Sequence, residues 1–185
     1  MRRAADYIDS LRDGRAVFLD GQRVADVTTH PAFAEPIRRI AERYEAAGQA
    51  PEVTECVDPA RGRRVGAMWL IPRSAEDLGR RRAVHRFWAE GSYGLMGRTP
   101  DHVASVLTGF AGWRRLFDRA GTRFGDNVVR FYEKARDEDL YLAYAIVPPQ
   151  VDRATPAHKH PEHPSAALLD RATAGVTARP AEKSG

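Results

Sequence analysis

Apolar residues recur along this chain first at helical spacing and then at strand spacing. Residues 4–13 place Tyr7, Ile8 and Leu11 on one side of a short amphipathic helix. Val17, Phe18 and Leu19, then Asp20-Gly21, then Gln22, Arg23 and Val24 predict a β-hairpin, because Asp-Gly supplies the positive φ angles of a tight turn. Over residues 34–47, Ile37, Ile40, Ala41 and Tyr44 fall at helical spacing, and Gly48 is placed to end the helix. Residues 49–63, with Pro51 and Pro59, read as a loop. Residues 65–71 are apolar and fit either a short strand or a buried segment. Ser74 and Asp77 resemble a capping box that opens a helix to about residue 90, with Leu78, Val84, Phe87 and Trp88 as its apolar side. Further helices are predicted over residues 100–110, 113–120 and 122–136. The run LYLAYAIV (residues 140–147) is then short, apolar and bounded by Pro148-Pro149, which predicts a buried strand.

At 185 residues the chain makes one domain, or one domain and a piece of another, and can bury a real core. No apolar run approaches the ~20 residues of a membrane span, and the N-terminal arginines precede no apolar segment. Cys56 is the single cysteine, so no intramolecular disulfide forms; that fits a reducing compartment, and a cytoplasmic location is expected. The net charge of +4 raises nucleic acid or a phosphate-bearing cofactor as partners. The densest cluster, Arg80, Arg81 and Arg82, lies in a helical pattern with Glu76, Asp77 and Arg86 and reads as a solvated helix face. No nucleic-acid-binding signature accompanies it. From residue 154 the tail is rich in Pro, Ala, His and charge and reads as disordered.

The run LMGRTPDH (residues 95–102) carries the clearest candidate chemistry. Thr99 can cap a helix, Pro100 suits the first helical position, and Asp101 sits favourably in the first turn. Arg98 then lies just outside a positively polarised helix end, where a guanidinium suits an oxyanion or a phenolate. The alternative is a surface arginine beside a well-capped helix. His158, His160 and His163 lie close enough in HKHPEHP to bind a metal weakly, but prolines and the tail setting argue against a preformed site, and no metal is expected. His30 and His85 read as structural, and Phe87, Trp88, Trp113 and Phe117 as core.

The order GSYGLMGRTPDHVASVLTGF (residues 91–110), then LYLAYAIVPPQVDR (residues 140–153), resembles the 4-hydroxyphenylacetate 3-hydroxylase family. So does the opening ADYIDSLRDGRAVFLDGQRV followed by DVTTHPAF, and the resemblance runs over roughly residues 1–164. The family comprises oxygenase components of two-component, reduced-flavin-dependent aromatic monooxygenases. The resemblance implies an acyl-CoA dehydrogenase-like, mainly α fold. Residues 1–139 would form its helical N-terminal domain with a small β-hairpin, residues 140–153 the first strand of a middle β-domain, and residues 154–185 a disordered tail. Family members are much longer, so a truncation or a frameshift soon after His163 is expected.

The resemblance also implies the site. Arg98, His102 and Tyr144 would surround a phenolic substrate and favour its anion, while water is kept out. Family enzymes usually carry tyrosine at the position of His102 and histidine at that of Tyr144, so the pair is exchanged here; that puts 4-hydroxyphenylacetate itself in doubt as substrate. Gln150, Asp152 and Arg153 fall in the segment that lies along the flavin, where Gln150 and Arg153 would bond the isoalloxazine or a phosphate. FAD, delivered reduced by a separate flavin reductase, O2 and a small phenol are the implied partners, and full-length members form tetramers. The related 4-hydroxybutyryl-CoA dehydratase branch needs several cysteines for its iron–sulfur cluster, and this chain has one. Two other readings stand beside this one: a non-catalytic helical remnant or interaction module, and a basic nucleic-acid binder. Alone, the fragment is expected to bind FAD poorly and to turn over little.

Overall fold

Short-range signals set the start of the fold. In the computed structural model, which describes residues 1–94 and 100–143, α1 (Ala4–Asp9) leads into the antiparallel hairpin β1 (Val17–Leu19) and β2 (Gln22–Val24). Asp20 and Gly21 adopt φ of 50° and 76°, the positive pair that a tight hairpin turn demands. α1 ends at Asp9, earlier than its periodicity suggests, but Tyr7 still buries against the next helix.

That helix, α2 (Pro31–Gln49), differs from expectation at both ends. It begins three residues early because the ring Nδ1 of His30 accepts the Ala32 N–H at 3.2 Å and Pro31 needs no N–H partner at the first position. It runs through Gly48 instead of stopping there. The expected loop after it holds α3 (Pro51–Thr54) and β3 (Glu55–Val57), which pairs antiparallel with β4 (Arg64–Gly66). Residues 65–71 combine both expectations: the end of β4 and a buried 3₁₀ turn, Ala67–Trp69.

Four more helices complete the described fold: α4 (Ala75–Gly91), α5 (Pro100–Gly112), α6 (Arg115–Asp118) and α7 (Thr122–Asp137). Ser74 caps α4 by accepting the Asp77 N–H at 3.1 Å, and the Asp77 carboxylate accepts the Arg73 N–H at 2.8 Å. α5 packs on α7 and on the 3₁₀ turn, so Ala104, Leu107 and Ala111 meet Trp69 and Tyr132 in the main core. A second cluster joins α1 to α2, where Tyr7 stacks on Tyr44 at 5.4 Å and approaches Tyr141 at 6.0 Å.

Three expectations about burial fail. Leu78 is 59% exposed, and Trp113, just past the end of α5, is 67% exposed. Arg81 is not on a solvated face: it is 8% exposed. Its place follows from helical spacing, because Arg81, Val84 and Trp88 recur every three to four residues and share the core face of α4. Residues 140–143 are irregular, and the rest of the expected strand, like the tail, lies outside the described residues.

Candidate functional site

His102 stands in the first turn of α5, exposed to solvent. Arg98 and Thr99 immediately precede that helix and lie outside the described residues, as do Tyr144, Gln150, Asp152, Arg153 and the HKHPEHP run. The structure therefore fixes one member of the predicted substrate set and the helix that presents it. Leu140, Tyr141 and Leu142 lead toward Tyr144; they leave α7 at Asp139, whose φ of 48° turns the chain.

Asp139 holds that exit in place. Its carboxylate accepts the Arg2 N–H at 3.2 Å and the Trp69 indole N–H at 3.2 Å, and its carbonyl accepts the Tyr44 hydroxyl at 2.8 Å. Burial pushes the carboxyl pKa up, against the two N–H donors that favour the ionised form. The segment that would carry Tyr144 thus starts from a fixed point in the core.

The faces of α5 separate two environments. Ala111 is nine positions, about two and a half turns, beyond His102, which places them on opposite sides of the helix. On the core side, Ala111 helps line a cleft of about 200 Å³ with Cys56, Trp69 and Tyr132. Burial raises the Cys56 thiol pKa, so this cysteine is a small core residue and not a reactive thiolate. On the outer side, Val106 and Phe110 follow His102 along an exposed apolar face that Trp113 extends. His102 and an exposed apolar surface thus share one side of α5.

The seam between α4 and α5 carries a polar network that sequence reasoning missed. Arg81 donates from Nη1 to the carbonyls of Met68 at 2.6 Å and Leu70 at 2.8 Å. From Nη2 it donates to Ser105 Oγ at 2.5 Å, one turn along α5 from His102. His85 Nε2 lies 3.3 Å from the same hydroxyl. A buried arginine at a core-spaced position next to an apolar helix was the available signal, hidden because its neighbours Arg80 and Arg82 are exposed. Among the described residues no group of three or more His, Cys, Asp or Glu could hold a metal, and no helix is long and apolar enough to cross a membrane.

A family model described as 4-hydroxyphenylacetate 3-hydroxylase N terminal matches residues 3–181, past residue 164 where the sequence resemblance was expected to end. The chain is 41% identical over 155 residues to the (3S)-3-amino-3-(3-chloro-4-hydroxyphenyl)propanoyl-[peptidyl-carrier protein SgcC2] monooxygenase of Streptomyces globisporus, covering 82% of this chain and 28% of that protein. It is likewise 41% identical over 160 residues to the pyoverdin chromophore biosynthetic protein PvcC of Pseudomonas aeruginosa, covering 84% and 30%. The crystal structure of the oxygenase component of 4-hydroxyphenylacetate 3-monooxygenase complexed with FAD and 4-hydroxyphenylacetate superposes with a TM-score of 0.76 at 34% identity, covering 87% of this chain and 33% of that one. The chain thus spans about a third or less of the relatives it matches. A match over nearly every residue, together with the shared helical fold, shows that the chain belongs to the 4-hydroxyphenylacetate 3-hydroxylase family and corresponds to its N-terminal part.

Proposed function

We propose that this chain is the N-terminal part of a reduced-FAD-dependent monooxygenase that hydroxylates a 4-substituted phenol ortho to its hydroxyl. O2 is the oxidant, and a separate flavin reductase supplies the reduced flavin. The observation that carries the reading is the family match, reinforced by a structural relative that holds both FAD and a phenol.

In this reading Arg98, on the loop entering α5, pairs with the phenolate oxygen through its guanidinium fork. His102 and Tyr144 complete the polar set, one imidazole and one phenol. A phenolate is a better nucleophile than a phenol, so groups that hold the anion speed attack by its ring. The donor set Gln150, Asp152 and Arg153 fits a flavin chemically: an amide and a guanidinium can bond the ring edge or a phosphate, and a carboxylate can accept from a ring N–H. When bound, the reduced flavin supplies the activation of O2. The protein's remaining task is exclusion of water, and the open face of α5 beside His102 must be covered for that.

The substrate is a phenol other than 4-hydroxyphenylacetate. Identity to the Streptomyces monooxygenase and the Pseudomonas biosynthetic protein, 41%, exceeds the 34% to the Escherichia coli 4-hydroxyphenylacetate enzyme. The exchanged pair His102 and Tyr144 agrees with that shift.

The test is a chimera that joins this chain to the remaining two-thirds of the Streptomyces relative. It is assayed with FAD, NADH, a flavin reductase and a panel of phenols, with catechols as the readout. The expected result is hydroxylation by the chimera, none by its Arg98→Ala variant, and little by the chain alone. A soluble, flavin-loaded chimera that produces no catechol from any phenol would remove the reading. Near-stoichiometric flavin on the purified chain alone would show that it is more complete than proposed.

One observation favours the second reading, a non-catalytic interaction module. Val106, Phe110, Trp113 and Leu116 are all exposed along α5 and α6. Light scattering decides it: association that weakens on dilution supports this reading, and a dilution-stable monomer counts against it.

A further inference from the structure

The polar seam between α4 and α5 starts from a side chain that cannot accept. Arginine has five N–H donors and no acceptor, so Arg81 can only donate. Its Nη2 donates to Ser105 Oγ at 2.5 Å. That occupies a lone pair of the hydroxyl and leaves the Ser105 proton to point elsewhere. His85 Nε2 lies 3.3 Å from Ser105 Oγ and 3.5 Å from Arg81 Nη2. The Ser105 hydroxyl can then give its proton to His85 Nε2, which accepts in the ring tautomer that carries its proton on Nδ1.

The same arginine ties three elements together. Nη1 holds the Met68 and Leu70 carbonyls on either side of the 3₁₀ turn's end, the guanidinium belongs to α4, and Ser105 lies on α5. Ser105 is one turn from His102, so rotation of α5 about its axis moves both together. Lysine could not reproduce the tie, because one ammonium cannot reach two carbonyls and a hydroxyl in this fork geometry.

We propose that Arg81 is a positioning residue of the phenol site, acting through Ser105. It holds α5, and with it His102, at one rotation, and it holds His85 as a neutral imidazole protonated on Nδ1. The link to phenol rests on the function proposed above; the setting of α5 and the state of His85 do not.

The test uses the whole 185-residue chain with ¹⁵N-labelled histidine. Long-range ¹H–¹⁵N spectra give the tautomer of each ring, and 4-nitrophenol, whose anion absorbs in the visible, reports phenolate binding. In the wild type, His85 is expected to show a bare Nε2 and a protonated Nδ1. Ser105→Ala removes only the tie to α5 and leaves both carbonyl bonds of Arg81 in place. It is expected to move the His102 ring signals and to weaken 4-nitrophenol binding roughly tenfold, the scale of one hydrogen bond to a charged group, with the fold retained. Ser105→Thr, which keeps the hydroxyl, is expected to restore both. A wild-type His85 protonated on Nε2 would overturn the donor chain. His102 signals unmoved in Ser105→Ala would overturn the positioning role. Absence of 4-nitrophenol binding in the wild type would count against the phenol reading alone, and the His102 signals would still decide this one.

Discussion

Tyr44 is 1% exposed, and its hydroxyl donates to the Asp139 carbonyl at the turn where the chain leaves α7. Tyr44→Phe keeps the ring packing and leaves that carbonyl without its partner. The expected cost is about 1 kcal/mol, read from urea unfolding. A variant as stable as the wild type would show that the bond does not hold the exit of α7. Neither Tyr44 nor Asp139 carries a local sign of this contact, because the two are far apart in sequence and only tertiary packing joins them. Arg81 was illegible for a related reason: periodicity marks a core position but does not reveal that a charged side chain fills it, held by backbone carbonyls and a hydroxyl. The place of His102 at the start of α5 was legible, because a helix was expected to begin at Pro100. Its surroundings were not, since Ser105 and His85 belong to no local pattern.

Secondary structure was most legible where a local rule decides the backbone. The Asp20-Gly21 turn and the Ser74 cap are such places, and both stand as expected. Ser74→Ala removes the side-chain acceptor for the Asp77 N–H, and about 1 kcal/mol of stability is expected to go with it. Thermal melts of the two proteins would show it as a lower midpoint, and equal midpoints would refute it. The start of α2 was hidden because histidine is not among the usual capping residues, although its Nδ1 accepts as a serine oxygen would. Gly48 did not end α2, because glycine permits a helix stop without enforcing one. The exposed Trp113 escaped for another reason: its spacing continues that of α5, but the helix ends at Gly112 before it.

Across the molecule, buried tyrosines link stability to high pH. Burial pushes the Tyr7 hydroxyl up to about 12 and raises those of Tyr44 and Tyr132 in the same direction. These groups ionise more easily in the unfolded chain, at about 10. Their contribution is therefore complete below that value and is lost as pH rises through the folded values. Phenolate absorbance is expected to lag until the protein unfolds, and the far-ultraviolet helical signal should collapse over the same interval. Smooth ionisation of all tyrosines with the helices intact would contradict this packing.

The function proposed above also belongs to this scale: it has this chain carry the substrate-binding half of a phenol hydroxylase site, with turnover needing the remainder of an enzyme of the relatives' length. Titration of the chain with 4-nitrophenol, followed by the visible absorbance of its anion across pH, tests that claim most directly. Binding that lowers the apparent pKa of the bound phenol, and that disappears in Arg98→Ala, is the predicted result. A phenol that does not bind, or that binds equally well without Arg98, would contradict it.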